Sequence, residues 1–162
     1  MSAAQNKLNL LLAEYGSSHQ NAVNKFIHWI CVPAIMFSLV GILMVIPVFW
    51  ETKTWYNNFG ALVLFLALIY YWRLSRPLTV YFLFIALALL YGNWKLFSWL
   101  GWNSTNLLYW SLGIFAVAWI GQFIGHKIEG KKPSFLKDLQ FLLIGPAWLL
   151  SFIVNPKTLS GE

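Results

Sequence analysis

Five stretches of this chain, residues 26–50, 54–72, 77–94, 96–125 and 139–156, contain no Lys, Arg, Asp or Glu. Each meets or approaches the roughly 18 apolar residues at which a membrane helix becomes the expected structure. The constraint is severe because hydrocarbon offers no water to a backbone N–H or C=O, so a spanning segment must satisfy those groups within itself. Composition agrees: 59% of residues are apolar, 19% aromatic and 10% charged, against about 25% charged in a soluble domain. The expected fold is all-α, an integral membrane helical bundle of four to five transmembrane helices in a single membrane domain, residues 1–162.

Several function classes drop out at once. The apolar segments recur instead of standing once behind a basic N-terminus, and no small-residue cleavage site follows the first, which argues against a removed signal peptide. The lone Cys31 allows no intrachain disulfide, and neither CxxC nor CxxCH is present. A metal here would therefore rest on His, Asp, Glu or water. The net charge of +6 implies no nucleic-acid partner, because the basic residues sit at the ends of apolar segments, where insertion and anionic headgroups favour them. There is no P-loop, no GxSxG elbow, no dinucleotide fingerprint and no repeat of transporter type.

Alternate connections between the five segments collect unequal positive charge. One side holds Lys7, Lys25, Arg73, Arg76, Lys127, Lys131, Lys132 and Lys137; the other holds Lys53, Lys95 and Lys157. The positive-inside rule places the N-terminus in the cytoplasm. That orientation fits a bacterial inner membrane or the endoplasmic reticulum, and the inner membrane is taken as the expected location. His19, His28 and His126 then all fall at one membrane face. The last segment, "LQFLLIGPAWLLSFIVNP", carries Pro146, which bends or breaks a helix; it spans, re-enters or lies in the interface. On the opposite face, "WETKTWYNN" and "WLGWNSTN" fit an aromatic interfacial belt, and Asn103-Ser104-Thr105 is formally a glycosylation acceptor.

Polar side chains at a membrane boundary need a reason. Asn21, Asn24 and His28 lie at i, i+3 and i+7, one stripe of a helix. His19 is nine residues from His28, which on a continuous helix means about 13 Å of rise, too far for one ion. Two helix starts are open: Ser17-x-x-Gln20 reads as a capping box that leaves His19 on the far side, whereas an N-cap at Asn21 frees His19 to fold back from a loop after Gly16. A shared site requires the second. In "WIGQFIGHKIEGKKPSF", Gly121 and Gly125 form a GxxxG packing pair. His126 follows, with Gln122 and Glu129 on a similar face, and His-x-x-Glu is a spacing used by helical metal sites. Imidazole plus carboxylate suits iron, zinc or copper. Tyr15 and the tryptophans read as interface anchors, and the lysines after His126 as a lipid or orientation signal able also to hold a carboxylate.

"YGSSHQNAVNKFIHWICVP" together with "WIGQFIGHKIEGKKPSFLKDLQFLLIGPAWLL" resembles the small membrane proteins related to the fungal endoplasmic-reticulum 2-hydroxy fatty acid dioxygenase of phytosphingosine breakdown. The shared pattern is His-x4-Asn-x3-His, at His19, Asn24 and His28, and Gln-Phe-Ile-Gly-His-x-x-Glu, from Gln122 to Glu129. These blocks cover about a third of the chain; Cys31 stands where the pattern leads one to expect glycine. The resemblance implies Fe(II)-dependent, O2-consuming shortening of a 2-hydroxy fatty acid by one carbon. It implies His19, His28 and His126 as iron ligands, with Glu129 a further ligand or a partner orienting an imidazole. Asn21, Asn24 and Gln122 would support the ligands, and Lys127, Lys131 and Lys132 would seat the substrate carboxylate. The competing expectation is a non-catalytic membrane protein whose polar, histidine-bearing face binds lipid headgroups or a partner. Oligomeric state is not readable from the sequence.

Overall fold

The structure, a computed structural model, describes residues 3–47, 54–130 and 138–154, which are helix joined by short turns and irregular connections, with no strand among them. Among these residues six helices follow in order: α1 Ala3–Ser17, α2 Ala22–Val45, α3 Phe59–Leu74, α4 Arg76–Trp99, α5 Ser104–Glu129 and α6 Asp138–Ile153. The all-helical expectation holds.

The helix starts are written in the sequence as small polar caps. Asn21 accepts from the backbone N–H of Val23 and Asn24 at the start of α2, Asn58 from Ala61 at α3, Ser75 from Leu78 at α4, and Asn103 from Asn106 at α5. Each satisfies a donor that the first turn leaves orphaned. Ser75 also closes α3, so α3 and α4 meet as a tight hairpin with Pro77 in the first turn of α4, where its missing N–H does no harm. Gly130 ends α5 at φ 72°, the left-handed cap that glycine adopts most readily.

α2 is the central element. It packs along α5 as its main partner and also touches α3, α4 and α6, while α1 rests on α6 and α3. The α2–α5 seam is antiparallel and is made by small residues. A Cβ at Gly125 would collide with the Asn24 amide, one at Gly121 with Cys31 Sγ, and one at Gly41 with Ser111 and Asn93. The GxxxG pair is thus a packing device, as its spacing suggests. Deeper in the bundle, Asn93 is fully buried and donates from Nδ2 to the carbonyls of Phe37 and Leu89, each at 3.0 Å.

Among the described residues, three helices are long and apolar enough to cross a membrane: α2, α4 and α5. Val80, Phe84, Tyr91, Val117 and Ile120 stand exposed on α4 and α5, the outward apolar faces that lipid would cover. α3 and α6 have 16 residues each; at 1.5 Å per residue they reach about 24 Å, short of the roughly 30 Å hydrocarbon core. Two details depart from the sequence reading. α4 runs on through Lys95 to Trp99, the lysine ammonium lying 5.4 Å from the centre of the Tyr91 ring, an attraction that eases a cation near the boundary. The opening residues, assigned to no element above, form α1, whose Leu8, Leu11 and Tyr15 are buried at helical spacing.

Candidate metal centre

The site forms where the end of α1, the start of α2 and the end of α5 meet. α1 stops at Ser17, and the backbone N–H groups of Ser18 and His19 close a turn onto the carbonyls of Tyr15 and Gly16 at 3.2 and 3.0 Å. Because Asn21 caps α2, His19 lies outside both helices and folds back over the α2 N-terminus, the second of the two helix starts. Its ring is stacked on Tyr15 at 4.2 Å between centroids and 10° between planes, with Trp148 of α6 at 5.2 Å on a tilt. Gly16 is what lets Trp148 come so near, since a Cβ there would stand 3.1 Å from the indole nitrogen.

Two hydrogen bonds decide the protonation of the rings. His19 Nδ1 lies 2.6 Å from the carbonyl oxygen of Tyr15, and His28 Nδ1 lies 2.9 Å from that of Asn24. A carbonyl can only accept, so each neutral ring carries its proton on Nδ1 and leaves a lone pair on Nε2. Those two Nε2 atoms face each other at 2.9 Å. Both rings are buried, His19 3% and His28 1% exposed, so bulk water does not separate the lone pairs. A cation between them removes the repulsion. His126, half-buried, brings a third ring to 5.2 Å from each of the others, at interplanar angles of 66° and 89°. One potential ligand atom from each of the three lies within 4.8 Å of the others. With metal–imidazole bonds of about 2.1 Å, tetrahedral ligands stand about 3.4 Å apart, so the widest separation has to close by at most about 1.4 Å for all three to reach one ion.

The remaining residues singled out by the sequence take distinct places. Glu129 accepts from the backbone N–H of Gln20 at 2.7 Å and of Asn21 at 2.9 Å, and from Asn24 Nδ2 at 3.0 Å. Its carboxylate therefore sits over the positive end of α2 and stands outside the group of three imidazoles. Asn24 is fully buried: its carbonyl holds His28, its amide holds Glu129, and its Oδ1 lies against Gly125 without a hydrogen-bond partner. Asn21 serves as the α2 cap and Gln122 is buried one turn before His126. Lys127 is exposed on the last turn of α5, while Lys131 and Lys132 lie outside the described residues. Tyr15 and Trp148, read from the sequence as interface anchors, are corrected to buried walls of the site, 7% and 5% exposed. The signal for both was the adjoining small residues: Gly16 admits Trp148, and Gly145 admits the Tyr15 hydroxyl at 3.1 Å from a would-be Cβ.

Two imidazoles with Nδ1–H spent on a backbone carbonyl present Nε2 in a familiar way to iron, zinc or copper, and His126 adds a third ring. The residues present therefore fit a divalent metal. Comparison with known proteins found no match among curated proteins and none among solved structures. The family model described as 2-hydroxy-palmitic acid dioxygenase Mpo1-like, however, matches residues 5–156, which include all three imidazoles, the α1 segment that sets His19 and the α6 segment that backs it. A match over nearly the whole length, carrying the same polar face that the structure assembles, means that the chain belongs to the Mpo1-like family.

Proposed function

We propose that this protein is an Fe(II)-dependent dioxygenase that shortens 2-hydroxy fatty acids by one carbon, at the cytoplasmic face of a membrane. The observation that carries the reading is the pair of facing Nε2 atoms, 2.9 Å apart, each freed by a backbone carbonyl and completed by a third imidazole. His19, His28 and His126 would hold the ion. Bound Fe(II) would supply redox chemistry with O2 that no side chain of this chain carries, and a three-ligand set leaves coordination positions open for the substrate.

The chain's own residues do the rest. Tyr15 and Asn24 lock the two ring tautomers through their carbonyls. Glu129 ties the end of α5 to the loop that carries His19, fixing the distance between the first and last imidazoles, and so acts here as a positioning residue and not as a ligand. Tyr15 and Trp148 keep water from one side of His19. Lys127, one residue past His126, is placed to attract the substrate carboxylate, a role shared with Lys131 and Lys132.

The test is anaerobic purification in mild detergent and reconstitution with Fe(II), then addition of 2-hydroxypalmitate and air. The expected result is about one iron per chain, lost in His28→Ala and in His126→Ala, and a product one carbon shorter. Absence of metal above background, with the histidines dispensable, would leave the headgroup-binding alternative standing. Zinc in place of iron would keep the site but remove the O2 chemistry, since zinc has no redox activity.

A further inference from the structure

The two helices that carry His28 and His126 also open a groove along their outer side. A cavity of about 570 Å³ runs between Ile30, Cys31 and Ala34 of α2 and Tyr109, Gly113 and Ala118 of α5, among others, and its lining is almost wholly apolar. Its depth follows from the antiparallel register. Gly121 meets Cys31 and Gly41 meets Ser111, so Ala118 stands level with Ala34, and Tyr109, about two and a half turns from Ala118, stands level with Leu43. At 1.5 Å of rise per residue the groove begins about 4 Å below His28, at Cys31, and ends about 22 Å below it, at Tyr109. Gly113 lies about 16 Å down on the same scale, and a Cβ built there meets nothing within 4 Å.

We infer that this groove holds the acyl chain of the 2-hydroxy acid and that the open space at Gly113 sets how long a chain it takes. The inference rests on the proposed function for the placement of the head group. The groove starts one helical turn from an imidazole of the site. Its length suits an extended palmitic-length chain, the chain named by the family. Apart from backbone and edges, its wall offers a chain nothing to hydrogen-bond, and it opens sideways on the outer faces of α2 and α5, so a chain already dissolved in lipid enters without crossing water. Another cavity among the described residues, about 340 Å³ between α2, α3, α4 and α6, comes no nearer to His28 along α2 than Met36, about two turns away.

The occupant is identified with a palmitic-length 2-hydroxy acid carrying a photoreactive diazirine at its methyl end, bound to the full-length protein in lipid nanodiscs. Label on the segment from Tyr109 to Gly113, competed by 2-hydroxypalmitate and not by excess phospholipid, is the expected result. Label elsewhere, or label there that only phospholipid competes, overturns the groove. In parallel, Gly113→Phe should lower kcat/KM for 2-hydroxypalmitate at least tenfold relative to 2-hydroxylaurate, whereas Ala34→Phe, about 9 Å below His28, should lower kcat/KM for both acids, with metal content unchanged. An unaltered ratio in Gly113→Phe with its metal retained also overturns it. Should the wild-type protein turn over no 2-hydroxy acid, the dioxygenase reading falls by itself, and the competed labelling still decides whether the groove is a fatty-acid site.

Discussion

At the scale of single residues, the site is controlled by where protons are held. Each of two imidazoles gives its Nδ1–H to a carbonyl four residues earlier in the chain, so the backbone of α1 and α2 itself aims the two lone pairs. Glu129 acts one step further out, on the loop that supports His19. Glu129→Gln would turn an amide NH2 toward donors that need an acceptor, the N–H groups of Gln20 and Asn21 among them. Replacing such an outer partner typically lowers metal affinity by about 10- to 100-fold. Competition with a chelator should show that loss in Glu129→Gln while saturating iron still loads the site; an unchanged affinity would mean that the carboxylate has no part in placing His19. The three histidines were legible in the sequence because charge counting put them at one face. The packing of Tyr15 and Trp148 against His19 was not, since it depends on α1 docking against α6, two segments far apart in the chain.

At the scale of helices, the α2–α5 seam links packing to the site. Gly125 is one residue before His126 and lies directly against the Asn24 amide, so the same close approach that joins the helices also holds the residue whose carbonyl orients His28. A methyl group added at Gly125 has nowhere to go without moving Asn24, and overpacking of this kind costs about 1–3 kcal/mol. Gly113, on the same helix but facing the open groove, provides the contrast. We expect Gly125→Ala to unfold at lower temperature and to bind metal more weakly. Gly113→Ala should match the wild type or gain slightly, since alanine is the better helix former by up to about 1 kcal/mol. Thermal unfolding followed by circular dichroism in one detergent compares them directly; equal losses in both would show that the seam is looser than the geometry indicates. The GxxxG spacing made this seam readable in advance. The extension of α4 past Lys95 was not, because a charge ends an apolar run in the sequence but does not end a helix when an aromatic ring receives it. α1 was within reach of pattern analysis, its Leu8, Leu11 and Tyr15 sharing one face, yet its run is too short and polar to register as a span.

At the scale of the whole molecule, the two ends of the bundle differ in kind. One end gathers the imidazoles, Glu129 and Asn24, with Lys25 and Lys127 beside them. The other presents exposed Trp55, Tyr56, Trp99 and Trp102, the amphipathic rings that settle at a membrane–water boundary. A long-chain 2-hydroxy acid is held in the bilayer by its tail, so a site at one end of a spanning pair can bind the head while the tail stays among apolar side chains. On the proposed reading, the uneven distribution of lysine and arginine in the sequence would direct the site end to the cytoplasm. Lys7 and Lys95 are both exposed and fall on opposite sides in the topology that the charge count predicts, and the native Cys31 is buried, so single replacements Lys7→Cys and Lys95→Cys report sidedness against a quiet background. Added to intact bacterial spheroplasts expressing the protein, a membrane-impermeant maleimide should label Lys95→Cys, and should reach Lys7→Cys only after the membrane is permeabilised. The reverse pattern would put the imidazoles outside the cell, away from cytoplasmic ferrous iron, and with that orientation the iron-dependent reading would lose its supply of metal.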